Sequence, residues 1–245
     1  MNIYHSCAAL LLCFANLIKS QQHPLISPPL PILRNATISD ADDIASVVIA
    51  AFSPTPAWQY IYQFHATRPK EHHRCVRYGV MQALTSPEYT VQVIEAPPGS
   101  ELSVAAAALW QQSIEVGVYG MFATRLAKEC AHRDMNLTRA NYMNDKSTDV
   151  LRKYVEEPFG QDQLYLDMLG VHPDYQLHGA GTRLVAQGVE RGGKAGVNVT
   201  LVALPTSEGF YAHIGFTSYK NFTIGSVDGD REFGYDVMAY DFGRE

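Results

Sequence analysis

From residue 163 to 171 the chain reads Gln-Leu-Tyr-Leu-Asp-Met-Leu-Gly-Val. Apolar side chains stand at odd and even positions alike, the pattern of a strand covered on both faces. Other segments carry simpler periods. Residues 32–36 predict a short strand, and Ser39 or Asp40 then caps an apolar-periodic helix that ends near Phe52. Residues 53–64, Ser-Pro-Thr-Pro-Ala-Trp-Gln-Tyr-Ile-Tyr-Gln-Phe, break that helix, and a second one is expected over 69–84. Residues 89–96 and 102–111, joined through Pro97-Pro98-Gly99, read as two antiparallel strands. After residue 171 come the turn His172-Pro173-Asp174, a polar loop, and a helix over 182–191 that offers Leu184, Val185 and Val189 to the core. Strands interleaved with helices predict an α/β (α+β) domain. Between residues 111 and 163 the order is interrupted, and two stretches, 119–133 and 147–157, look helical. An interruption that long is read as a lid or substrate-facing insertion.

The first 31 residues are set apart as an N-terminal extension. Residues 7–18 form an apolar run too short for a confident membrane span and of the length of a signal-peptide core. No Lys or Arg precedes it, and no A-x-A pattern follows it, so a cytoplasmic location is expected and the secretory pathway is the alternative. In that alternative the sequons at Asn35, Asn136, Asn198 and Asn221 become glycan acceptors. The Pro-rich stretch that follows, up to Pro31, suits neither helix nor central strand.

Composition narrows the function. A net charge of −6 provides no basic face for a phosphate backbone, so a general nucleic-acid binder is disfavoured and a cationic substrate fits better. Cys7, Cys13, Cys75 and Cys130 form no C-x-x-C pair and have no His at zinc spacing, so free buried thiols are expected, with neither a metal site nor a disulfide framework. His72-His73 is read as a solvated pair on an exposed helix face. The aromatic run from Trp58 to Phe64 is read as core, with an acceptor pocket as the alternative. No G-x-S-x-G elbow is present for a serine hydrolase.

The chemistry concentrates in residues 171–184, Val-His-Pro-Asp-Tyr-Gln-Leu-His-Gly-Ala-Gly-Thr-Arg-Leu. Strand, glycine loop and helix start succeed one another, and the first N–H groups of a helix lack intrahelical partners. Gly179, Ala180 and Gly181 leave that backbone accessible, so an anion, best a phosphate, is expected there. Gly170 near the strand end marks a bulge or a close approach of another molecule. Neither a Walker loop nor a dinucleotide fingerprint is present.

Gln176-Leu177-His178-Gly179-Ala180-Gly181 resembles the Q/R-x-x-G-x-G/A signature of the GNAT superfamily of acyl-CoA-dependent N-acyltransferases, and Leu169-Gly170-Val171-His172-Pro173 resembles the strand before it. Phe210-Tyr211-Ala212-His213-Ile214-Gly215-Phe216 is similar to the family's later block, and Leu33-Arg34-Asn35-Ala36-Thr37 with Asp40-Ala41 to its beginning. The resemblance runs from about Ile32 to Tyr240. It implies a mixed, curved sheet with helices on both faces and a splayed strand pair that receives CoA. It further implies that the backbone of Leu169, Gly170 and Val171 meets the pantetheine arm of acetyl-CoA, and that Gln176, Leu177, His178, Gly179, Ala180, Gly181 and Thr182 cradle the diphosphate. Two positions depart from the family. His178 replaces a common Arg or Lys, and Ser207 lies where a pantetheine-orienting Asn is frequent.

An ammonium has no lone pair, so transfer to an amine needs a base, and the leaving thiolate gains from an acid. Asp167, on one strand face with Tyr165, is the candidate base, acting through water; a role as a structural or substrate-ammonium partner is the equal alternative. Tyr211 matches the family's thiolate-protonating tyrosine. The reading is N-acetyl transfer from acetyl-CoA to a primary amine of a small molecule or peptide, by direct attack in a ternary complex. A non-catalytic acyl-CoA sensor, a hydroxyl acceptor and a longer acyl donor stay open, and the acceptor and oligomeric state are not legible.

Overall fold

The computed structural model describes residues 32–112 and 130–243. The N-terminal extension, with its apolar run, Cys7 and Cys13, lies outside them, as does most of the helical stretch expected at 119–133. One sheet holds seven strands: β1 (Leu33–Asn35), β2 (Tyr89–Glu95), β3 (Val104–Gln111), β4 (Gln163–Val171), β5 (Asn198–Ala203), β6 (Phe216–Gly225) and β7 (Glu232–Tyr240). Their order is β1-β2-β3-β4-β5-β7-β6, antiparallel throughout except for the parallel pair β4 and β5.

Strand β3 shows why the central residues carry no polar face. Ala107 and Leu109 join the cluster under α1 (Ala41–Phe52) and α3 (Pro69–Thr85), whereas Ala106, Ala108 and Trp110 join the cluster under α6 (Ala180–Ala195). With both faces covered, every position must be apolar or satisfied. Helix α6 lies close on the sheet because Gly188 and Gly192 remove the side chains that would hold it off. A Cβ on Gly188 would lie 2.0 Å from Trp110 Cζ2, and one on Gly192 2.2 Å from Val199 Cγ2. Since Trp110 is fully buried and cannot swing away, Gly188→Ala is expected to cost about 2 kcal/mol or more. A thermal melt showing an unchanged midpoint would contradict this packing.

The start of α1 is held by charge. Asp40 accepts from the Thr37 N–H at 2.7 Å and from both terminal nitrogens of Arg34 at 2.8 Å. The Arg34 hydrogen bond comes first among the causes that hold its carboxyl down at about 2. Asp40 is the N-cap of α1, one of the two residues expected there, and a short 3-10 turn, Ile38–Asp40, leads into it.

Three expectations are corrected. His72 is 2% exposed, not solvated, because it lies three and four residues before Cys75 and Val76 and so shares their buried face of α3. Cys75 and Cys130 are not free thiols. They form a disulfide across 55 residues, with Cα atoms 5.7 Å apart, which closes a loop worth about 4 kcal/mol in the chain-entropy account. The break after α1 itself contains a helix, α2 (Pro56–Ile61), with Pro56 in its first turn. The core reading of the aromatic run holds for Trp58, Tyr60 and Tyr62, which are buried, with the Trp58 and Tyr62 rings 4.4 Å apart, but not for Phe64, which is exposed.

In the described part of the interruption residues 130–136 are turn and loop, not the end of the helix expected at 119–133, and the later helix begins at Leu137, about ten residues before its expected start. Helix α4 (Leu137–Leu151), capped by the Asn136 side chain, passes through a π turn at Arg152–Glu156 into α5 (Glu157–Phe159). Pro158 has no N–H to continue an α ladder, which gives a reason for the wider turn. Met143 packs with Tyr60, Ile224 and Phe233, and Leu151 and Val155 pack with Tyr165 and Val237. Among the described residues no helix is long and apolar enough to cross a membrane.

Candidate functional site

Strands β4 and β5 pair only from Gln163↔Asn198 to Leu166↔Leu201. Beyond Leu166 the next residues of β4, Asp167 to Val171, have no partner on β5, while Val202 and Ala203 pair on their other side with β7. A wedge therefore opens in mid-sheet. Its cause is a bulge: Leu109 faces Met168 and Trp110 faces Leu166, so Asp167 is the extra residue on β4. Of the two readings offered for Gly170, a bulge or a close approach of another molecule, the bulge lies at Asp167 instead. Gly170 pairs regularly with Ala107 and lies against α1, where a Cβ would make ordinary contact with Val47 Cγ1 at 3.5 Å and Ala51 Cβ at 3.7 Å.

The edge of the wedge is a row of usable backbone groups. His172 donates its N–H to Ala105 O at 2.9 Å, so His172 and, two residues back, Gly170 turn their peptide groups toward β3. The alternation of an antiparallel pair then turns those of Leu169 and Val171 into the wedge. Val171 O does point away from β3, for it accepts from Gln176 Nε2 at 3.2 Å.

The glycine loop stands at the end of this edge. Leu177 adopts φ of +64° with its side chain fully exposed, and Gly179 adopts +80° at the N-cap of α6. A non-glycine residue in the left-handed region is strained, and here it reverses the chain without covering the helix start. No side chain caps α6, and its first bond of this kind runs from Arg183 N–H to Gly179 O at 3.0 Å. The N–H groups of Ala180, Gly181 and Thr182 therefore have no intrahelical partner at the positive end of a 16-residue helix, the arrangement that suits an anion, with Thr182 exposed and Ala180 and Gly181 buried beside it. The His178 Nδ1–H donates to Gln176 O at 2.6 Å, leaving Nε2 to face solvent. Gly181 has a packing role as well, for a Cβ would lie 3.3 Å from Phe210 Cζ and 3.4 Å from Val171 Cγ2. The end of β4, the start of α6 and helix α7 (Glu208–Ile214) thus meet at one place.

Asp167 accepts from the Tyr89 hydroxyl at 3.2 Å. Burial pushes its carboxyl up to about 6, against the lowering effect of that hydrogen bond. This sets the group close to neutral pH. Tyr89 is a site residue that the sequence does not announce, since nothing local tells which strand tyrosine crosses to β4. Tyr211 lies in α7, buried with Phe210 and Phe216 at ring distances of 5.0 and 5.8 Å, and burial raises its hydroxyl well above the ordinary range. Asp167 bonds to a residue of the α1 and α3 cluster, whereas Tyr211 belongs to the α6 cluster. Ser207 is tied into its own turn, its hydroxyl donating to Leu204 O at 3.0 Å. Beside α7 an open hollow of about 460 Å³ is lined by Pro205, Glu208, Asn221, Thr223 and Tyr235 among others.

Residues 118–224 match a family model described as an acetyltransferase (GNAT) domain. A search of curated proteins finds no match in sequence. Among solved structures, mosquito arylalkylamine N-acetyltransferase like 5b aligns with a TM-score of 0.60 at 14% identity, over 85% of this chain and 98% of that one. A structure described as histone acetyltransferase HPA2 and related acetyltransferase from Corynebacterium glutamicum ATCC 13032 aligns with a TM-score of 0.52 at 19% identity, over 86% and 95%. At such identities the likeness is one of fold, and the mixed sheet with helices on both faces is common to them.

Proposed function

We propose that this chain, which carries a GNAT acetyltransferase domain, transfers an acetyl group from acetyl-CoA to a primary amine of a small molecule or peptide by direct attack in a ternary complex. The observation that carries the reading is the wedge, with the outward backbone of Leu169 and Val171 along one edge and the uncapped start of α6 at its end. Those groups fit an extended amide-bearing arm and a diphosphate, the two parts of CoA that need hydrogen-bond partners and a positive dipole. Acetyl-CoA brings the thioester. Asp167, relayed by water, accepts the ammonium proton so that the nitrogen lone pair can attack. Tyr211, kept protonated by its burial, donates to the departing sulfur.

The Tyr211 role has a specific signature. A contact made only as the C–S bond breaks contributes to the transition state and hardly to the ground state. Tyr211→Phe is therefore expected to lower kcat on the order of a hundredfold with little change in acetyl-CoA affinity or melting temperature. Full activity across pH with a good acceptor would reduce Tyr211 to a packing residue. The wider proposal is tested by thiol release from acetyl-CoA over an amine panel and an alcohol panel. Turnover with amines alone supports it, and tight acetyl-CoA binding with no release on any acceptor would make the protein a sensor instead.

The Cys75–Cys130 bond bears on the compartment. Disulfides persist in oxidising compartments and are reduced in the cytosol, so this bond supports the secretory alternative over the cytoplasmic expectation. Asn198 and Asn221 are exposed, as glycan acceptors must be.

A further inference from the structure

Away from the wedge, two short sequence patterns converge in the core: His72-x-x-Cys75 on one face of α3, and Cys130-x-His132-x-Asp134 in the loop before α4. The ligand atoms of Cys75, His132 and Asp134 all lie within 4.8 Å of one another, and Cys130 joins them through its sulfur. All are buried, with Asp134 at 0% exposure and His132 at 4%. Neither ring nitrogen of His132 has a hydrogen-bond partner, and neither does Asp134 Oδ1. Each such orphan costs about 1–3 kcal/mol, and one ion would take Asp134 Oδ1 together with one of the two ring nitrogens, partners that the disulfide does not provide. Asp134 Oδ2 is meanwhile fixed by the His72 Nδ1–H at 2.7 Å, the arrangement by which an outer histidine orients a ligating carboxylate. The rings of Tyr62 and Trp58, 4.8 and 5.5 Å from that of His72, close the cluster from one side.

We propose that Cys75, Cys130, His132 and Asp134 form a structural site for a zinc-type divalent metal, filled when the Cys75–Cys130 bond is reduced. Two sulfurs, one imidazole nitrogen and one carboxylate oxygen make a closed four-donor set of the kind that suits tetrahedral zinc. With a phosphine as reductant, disulfide, phosphine and water give two thiols and the phosphine oxide; phosphorus loses two electrons and each sulfur gains one. Metal binding then breaks two S–H bonds, forms two metal–sulfur bonds and releases two protons to solvent. Either linkage, disulfide or metal, ties the loop at Cys130 to α3. The fold keeps this tie in oxidising and reducing surroundings alike.

The test uses the full chain carrying Cys7→Ser and Cys13→Ser, purified with the disulfide formed and verified as folded by circular dichroism. After reduction by a phosphine and its removal, Co²⁺ is titrated. The expected result is one equivalent bound, with a thiolate-to-cobalt charge-transfer band and the visible bands of a tetrahedral ion, all lost on adding Zn²⁺. His132→Ala is expected to abolish tight binding. His72→Gln, a change to the positioning residue, should weaken it about ten- to a hundredfold while keeping the charge-transfer band. Absence of a thiolate band in the reduced chain, whether that chain stays folded or not, overturns the proposal. So does a band whose Co²⁺ dependence is unchanged by His132→Ala.

Discussion

Replacing Gly179 by glutamate is expected to weaken acetyl-CoA binding at least about a hundredfold. The carboxylate would stand beside the N–H groups of Ala180 and Gly181, and two like charges about 4 Å apart at a protein surface repel by several kcal/mol. Gly179 is the better place for this test than Gly181, because nothing lies within 4 Å of its Cβ position, while a side chain on Gly181 also strikes Phe210 and Val171. The backbone sets the necessary control. Since Gly179 has φ of +80°, any L side chain is strained there, and Gly179→Asn, which tolerates the left-handed region, separates conformation from charge. Calorimetry should show the asparagine variant close to wild type and the glutamate variant without measurable binding. Equal affinity in both would remove the diphosphate from the start of α6.

Asp167→Asn is expected to lower activity about a hundredfold or more and, at the same time, to stabilise the fold. As a base Asp167 works only when ionised, so kcat/KM of the wild type should fall as pH drops through about 6, and the variant should lose that limb. Stability runs the other way. The folded state holds the proton up to about pH 6, while an unfolded aspartate releases it near its ordinary value of 3.8, so the folded state is the stronger proton binder in between. The penalty is absent below the lower value, grows as pH rises through that window and is complete above about 6. Asparagine still offers an oxygen to the Tyr89 hydroxyl and carries no charge, so a gain of about 2 kcal/mol at neutral pH is expected for this partly accessible site. If kcat is unchanged and only the acceptor KM rises, Asp167 is an ammonium partner rather than the base.

How far the sequence reaches depends on the range of the interaction involved. The strand over 163–171 and the helix from Pro69 were legible because side-chain period follows from local backbone geometry alone. Gly179-Ala180-Gly181 was legible for a related reason: loop and helix start are successive residues of one turn. The bulge, one of two readings offered for Gly170, lies at Asp167, because a bulge is a mismatch between two strands and β4 alone does not contain it. Likewise the raised carboxyl of Asp167 depends on burial and on Tyr89, 78 residues away.

The buried cluster shows the boundary most plainly. Cys130-x-His132-x-Asp134 and His72-x-x-Cys75 were there to be read, yet each half alone is an unremarkable scatter of polar residues. The sequence by itself determined β4, α3 and the bare glycine turn ahead of α6, all set by contacts within a few residues. Only the tertiary structure decided that α3 buries His72, that Cys75 meets Cys130, and that β4 parts from β5 at Asp167. Those outcomes depend on which surfaces pack together, and packing is a property of the whole chain rather than of any segment.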